Sequence, residues 1–186
     1  MASFVVSGRK RLLSGPVITV DDLEVIAPDA TTHHRQVVGH PGAVSVVPLT
    51  DRRTIVMVRQ YRAALDAELL EIPAGKRDLA GEPPEQTAAR ELAEEVGLAA
   101  DELVRLAEFH NSPGFSNEHS IVYLAQGLHD VPHQRQGVEE VHLEVVEVPF
   151  DEVVTRIAAG EIRDAKSIIG LLMAREHLSR RDRPVD

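Results

Sequence analysis

Apolar positions in this chain come mostly in short, β-branched runs. Residues 43–49 (AVSVVPL) and 54–60 (TIVMVRQ) are two such runs joined by TDRR, which predicts a β-hairpin. Residues 68–72, 103–110, 119–125 and 141–148 read as further strands, the last alternating before Pro149. Spacing turns helical over residues 150–159 and again over 164–177, with Gly160 between them. In the second of these, Ile168, Ile169, Leu172 and Met173 form an apolar stripe. Strands and helices interleaved in this way predict an α/β fold, a mixed sheet covered by helices.

One more helix is predicted after the 68–72 strand, and it carries the chemistry. The stretch GKRDLAGEPPEQTAARELAEEVGL sets Glu91, Glu94 and Glu95 directly behind Arg90. Pro84 suits a first helical turn, Glu85 complements the positive end of the helix dipole, and Gly97 stands where a left-handed cap is wanted. Three carboxylates so close repel one another and raise each other's pKa. A divalent cation removes that cost. Positions 91 and 95 lie one turn apart on one face, with 94 beside them, and hard cations such as Mg²⁺ or Mn²⁺ take oxygen ligands. Ala88, Ala89, Leu92 and Val96 are expected to dock the helix, leaving the carboxylates outside the packed side. An acidic helix face alone is ordinarily solvated surface, so the weight rests on the accompanying arginine and glycines.

Those residues resemble the Nudix box, G-x5-E-x7-R-E-U-x-E-E-x-G-U, where U is a bulky aliphatic residue. Arg90, Glu91, Leu92, Glu94, Glu95, Gly97 and Leu98 match position for position, and Glu82 lies the right distance before Arg90. The loop departs by one residue: Gly81 stands where the pattern has its first glutamate, counted from Gly75. The resemblance implies a Nudix-type α/β/α sandwich with a mixed β-sheet and an N-terminal β extension. On that reading residues 1–186 form a single domain, with dimerisation and substrate-binding strands over about 1–40 and a catalytic core over 41–178.

Composition narrows the partners. A formal charge of −10 argues against a nucleic-acid polymer, which basic residues would hold. The chain has no cysteine, which removes disulfides, zinc–thiolate sites and thiol nucleophiles. There is no apolar run of membrane-spanning length and no signal-peptide core at the N-terminus, so no membrane partner and a cytoplasmic location are expected. Phosphate-loop, dinucleotide-fingerprint and zinc-helix motifs do not occur. The basic clusters at 9–11 and 180–183 read as solvated termini.

The flanks RQVVGHPGAVSVVPL, VRQYR, LLEIPAGK, SPGFSNE and GEIRDAKSIIGLLMA are similar to the ADP-ribose pyrophosphatase branch of that family. This resemblance implies hydrolysis of ADP-ribose to AMP and ribose 5-phosphate with two to three Mg²⁺ ions, Mn²⁺ being an alternative. It implies the Ala74 carbonyl, Glu91, Glu94 and Glu95 as metal ligands and Arg90 as the group that orients a box glutamate. Arg62 would bind the diphosphate and Glu118 the terminal ribose. Pro113 and Gly114 mark the substrate loop, and Arg35 is lent across a homodimer interface. The general base would come from HQRQGVEEV as Glu139 or Glu140. Two other readings stand beside it: another nucleoside diphosphate sugar or dinucleotide as substrate (GDP-mannose, FAD, NADH), or a non-catalytic ADP-ribose sensor.

Overall fold

A computed structural model describes residues 3–132 and 142–181; Glu139 and Glu140 lie outside the described residues. Its contacts divide the chain into two compact units. One comprises Met1–Gly42 with Phe109–His119, the other Ala43–Glu108 with Ser120–Asp186.

The first unit is an antiparallel meander of β1 (Val5–Ser14), β2 (Thr19–Ile26) and β3 (Thr32–Gly39). The coarse strand pattern did not reveal these strands; only the family resemblance pointed to them. β3 is tied to the Phe109–His119 segment by Val38 N–H to Phe115 O (2.7 Å) and Asn117 N–H to Val38 O (3.1 Å). Asp21 is buried on β2, where Arg9 (3.2 Å) and Arg11 of β1 donate to it. That basic cluster is exposed, as expected, but it is part of a strand and partly paired with Asp21. Phe4, Val5, Val6, Leu12 and Leu13 are exposed around β1.

The second unit holds two sheets. β4 (Ala43–Pro48), β7 (Ala74–Lys76), β8 (Leu98–His110) and β9 (His119–Asp130) make a mixed sheet in the order β7-β4-β9-β8, with β4 antiparallel to β7 and parallel to β9. β5 (Thr54–Arg62) lies between β10 (Glu144–Pro149) and β6 (Ala67–Glu71) in the other. The expected β4–β5 hairpin does not form. The chain does turn, with Arg53 at φ 58 and a single Leu49–Ile55 bridge, but the two strands then join different sheets. The reason is burial: Val44, Val46, Val47 and Ile55 to Val58 are buried on both faces, so each strand is central and takes its partners from elsewhere.

Helices cover both faces of the mixed sheet. From α1 (Pro84–Val96), Ala88, Leu92 and Val96 share a core with Val44, Val46, Ile121 and Tyr123. On the other side, after a 3-10 turn at Phe150–Glu152 and α2 (Val153–Ala158), comes α3 (Ala165–Arg181). Its Gly170 packs against Val47 and Val122, which alternate with the residues of the first core and so project from the opposite face. The stripe expected on this helix is displaced. Ser167, Gly170, Leu171 and Ala174 are buried, while Leu172 and Met173 are 43% and 38% exposed. A Cβ on Gly170 would come within 2.9–3.0 Å of Val122, Ile72 and Val47. The helix approaches the sheet so closely that mostly small side chains fit beneath it, and the larger ones are turned away.

Candidate active site

α1 begins without a side-chain cap, Pro83 and Pro84 setting its first turn, and stops at Gly97, whose φ of 68 is the expected left-handed cap. Thr87, not Ala89, completes its buried side, and Ala89 is exposed. Glu91 and Glu95 are buried too, 8% and 5% exposed, which corrects the expectation that the carboxylates lie outside the packed side. β7 explains this. Ala74 N–H donates to Glu95 Oε2 at 3.0 Å, and a Cβ placed on Gly75 would sit 1.8 Å from Glu91 Cδ. The missing side chain at position 75 is thus the space that the Glu91 carboxylate fills.

Arg90 holds the acidic group together. Its Nη1 donates to Glu91 Oε1 (2.8 Å) and Glu94 Oε2 (3.0 Å), and its Nε to Glu82 Oε1 (3.2 Å). Burial works against the charged guanidinium, but the hydrogen bond to Glu82 and the charges of Glu91 and Glu94 outweigh it and raise the Arg90 pKa. Glu82, which also accepts from Thr87 Oγ1 at 2.9 Å, is held below its usual range chiefly by the bond to Arg90. The one-residue loop departure therefore leaves Glu82 tied into the cluster.

Among the described residues no three Asp, Glu or His side chains converge as a preformed metal cage. The donor chemistry still fits a hard divalent cation. Two buried carboxylates one turn apart lie against the 74–75 backbone, whose bare glycine admits close approach, and Mg²⁺ ordinarily keeps several waters beside few protein ligands.

Arg62 reaches Glu71 with both arms of its fork, Nε to Oε1 at 2.7 Å and Nη2 to Oε2 at 2.5 Å. That bond to Glu71 is the main reason its pKa is raised, with smaller help from the charges of Asp164 and Glu95. Glu71, Lys166, Asp164 and Ser167 form a network around it that the sequence reading missed. The available signal was one glutamate inside the apolar run LLEIP. Arg62, Ala74, Arg90, Glu91, Glu94 and Glu95 all belong to this unit.

Of the other expected residues, Arg35, Pro113, Gly114 and Glu118 belong to the N-terminal unit. Pro113 and Gly114 are exposed and line a cavity of about 270 Å³ with Val37, His110, Phe115 and Asn117. Glu118 Oε1 lies 4.0 Å from His40 Nδ1. That nitrogen also accepts from Gly42 N–H at 3.1 Å. Arg35 is exposed on β3, donating to His34 O at 2.8 Å, and does not line the cavity.

Comparison with known proteins shows the family and the fold. The NUDIX domain profile matches residues 39–169, a span that includes Arg62, Gly75 and the whole of α1. An ADP-ribose pyrophosphatase of Bacillus subtilis (strain 168) is 39% identical over 159 residues, covering 86% of this chain and 85% of the relative. An ADP-ribose pyrophosphatase of Mycobacterium tuberculosis (strain ATCC 25618 / H37Rv) is 41% identical over 161 residues, 87% of this chain and 78% of the relative. A solved structure described as an ADP compounds hydrolase superposes with a TM-score of 0.86 at 21% identity, covering 98% of this chain and 97% of its own, and speaks for the fold. A glycine that makes room for a buried carboxylate, on a helix inside the matched span, is thus accompanied by identity along most of the chain, and the protein belongs to the Nudix hydrolase family.

Proposed function

We propose that this protein hydrolyses the pyrophosphate bond of ADP-ribose, adding water to give AMP and ribose 5-phosphate. The observation that carries the reading is the seating of two buried carboxylates, Glu91 and Glu95, on the 74–75 backbone under the control of Arg90. Supporting the choice of substrate are the names of the relatives at 39% and 41% identity.

Nudix hydrolases depend on divalent metal. Here Glu91, Glu95 and the Ala74 carbonyl would hold it, with Glu94 alongside. Two to three Mg²⁺ ions, or Mn²⁺, would neutralise the diphosphate and polarise water. Everything else falls to the chain. Arg90 fixes the direction of Glu91 by a charge-assisted hydrogen bond. Arg62 spends Nε and Nη2 on Glu71 and presents the remaining Nη1 edge of its fork to a diphosphate oxygen. Glu118 and the Pro113–Gly114 loop are assigned to the ribose end, and Glu139 to proton removal from water, with Glu140 its rival. The last assignment rests on the family resemblance alone. A homodimer in a cytoplasmic setting belongs to the same reading, supported by the apolar side chains exposed around β1; an active monomer in light scattering would reject the dimer and the role of Arg35.

A substrate panel decides the function. ADP-ribose, GDP-mannose, FAD and NADH are each incubated with Mg²⁺ and the products resolved by chromatography. AMP and ribose 5-phosphate from ADP-ribose, at the highest kcat/KM of the four, is the expected result. Faster turnover of another compound replaces the substrate, and binding of ADP-ribose without turnover of any compound favours the sensor.

A further inference from the structure

Glu71 closes β6 and is 1% exposed, the most buried carboxylate among the described residues. Such a group persists as an anion only if donors satisfy its oxygens. Arg62 supplies two of them. Lys166 supplies the third, its ammonium sharing Oε2 with the guanidinium. Lys166 is the second residue of α3 and also reaches Asp164 at 2.9 Å. Ser167, the next residue, donates to Asp164 Oδ2 at 2.6 Å and accepts Ile72 N–H at 2.9 Å. The first turn of α3 thus clamps residues 71 and 72, and two residues later Ala74 N–H meets Glu95.

The charges matter as much as the contacts. Arg62 and Lys166 balance Glu71 and Asp164, so the cluster is neutral. Without the ammonium it carries one net negative charge beside a guanidinium assigned to an anionic diphosphate. Glu71 would then spend its whole charge on Arg62.

We infer that Lys166 is a positioning residue for the substrate diphosphate: it shares the Glu71 carboxylate with Arg62, which keeps the guanidinium directed and the cluster neutral, without itself touching substrate. This rests on the reading above in which Arg62 binds the diphosphate.

The test combines calorimetric binding of ADP-ribose in EDTA with steady-state kinetics in Mg²⁺, on variants whose fold is checked by circular dichroism. Lys166→Met weakens binding and raises KM about tenfold, the scale of one screened charge, with kcat within about threefold. Lys166→Arg restores most of the affinity. Lys166→Gln keeps a donor without the charge; it repeats the loss and covers the case in which the methionine variant folds poorly. In a Glu71→Gln background Lys166→Met costs less than in the parent, because the carboxylate it shares with Arg62 is gone and only Asp164 is left beside it. Unchanged affinity in folded Lys166→Met or Lys166→Gln overturns the inference, and so does an equal loss in both backgrounds. Arg62→Met tests the underlying reading separately: affinity unchanged there removes Arg62 from the diphosphate, whatever the lysine variants show.

Discussion

Replacing Gly75 by alanine adds a single methyl group, and the structure says where the strain goes. The new Cβ would lie 1.8 Å from Glu91 Cδ, 2.0 Å from Oε1 and 2.2 Å from Oε2, against a floor of 3.0 Å for real Cβ contacts. The carboxylate must therefore move by at least about 1.2 Å, the difference between 3.0 and 1.8 Å. It is the far end of a flexible side chain, so the fold can absorb the shift for about 1–3 kcal/mol. The site cannot absorb it in the same way. Displacement of a catalytic group by about 1 Å costs on the order of 10²-fold in rate, and Glu91 would also leave its 2.8 Å bond to Arg90. Gly75→Ala should thus lose about 10²-fold in kcat on ADP-ribose at saturating Mg²⁺, while urea unfolding remains cooperative with most of the stability retained. Turnover within threefold of the parent, in a protein confirmed to be alanine at this position, would refute the account of the glycine.

Three further outcomes are expected. Glu91→Gln and Glu95→Gln should each lower kcat by about 10² or more at saturating Mg²⁺ while remaining folded by circular dichroism; full turnover in either removes it from the metal site. Asp164 is held below its ordinary value of 3.8 although burial opposes this, because Lys166 and Ser167 favour the charged form. Its contribution to stability is therefore complete above pH 3.8 and disappears as pH falls through the lower folded value, so Asp164→Asn should be less stable at neutral pH and show a flatter loss in acid urea titrations. Leu171→Ala should cost about 2–5 kcal/mol in urea unfolding and Leu172→Ala less than about 1, because the first is buried and the second is 43% exposed; equal costs would contradict the rotation found for α3.

Local sequence was enough wherever the physics is local. Pro84 and Gly97 bound α1 through their own backbone preferences, and the spacing of Arg90, Glu91, Glu94 and Glu95 follows from helical geometry alone. The runs at 43–49 and 54–60 are strands because β-branched side chains suit a pleated, buried backbone. Tertiary structure decided which strands pair: a β4–β5 hairpin was the natural reading, but strands buried on both faces had to find neighbours distant in sequence. It also set the facing of α3, because helical periodicity marks an apolar stripe without revealing how near the sheet will come; at Gly170 that distance excludes large side chains. The burial of Glu91 and Glu95 depends on β7 crossing beside α1, and Glu71 found its partner Lys166 95 residues further along the chain. A carboxylate's neighbours along the sequence do not indicate which distant ammonium or peptide N–H will satisfy it in the fold, since burial and pairing are properties of packed elements.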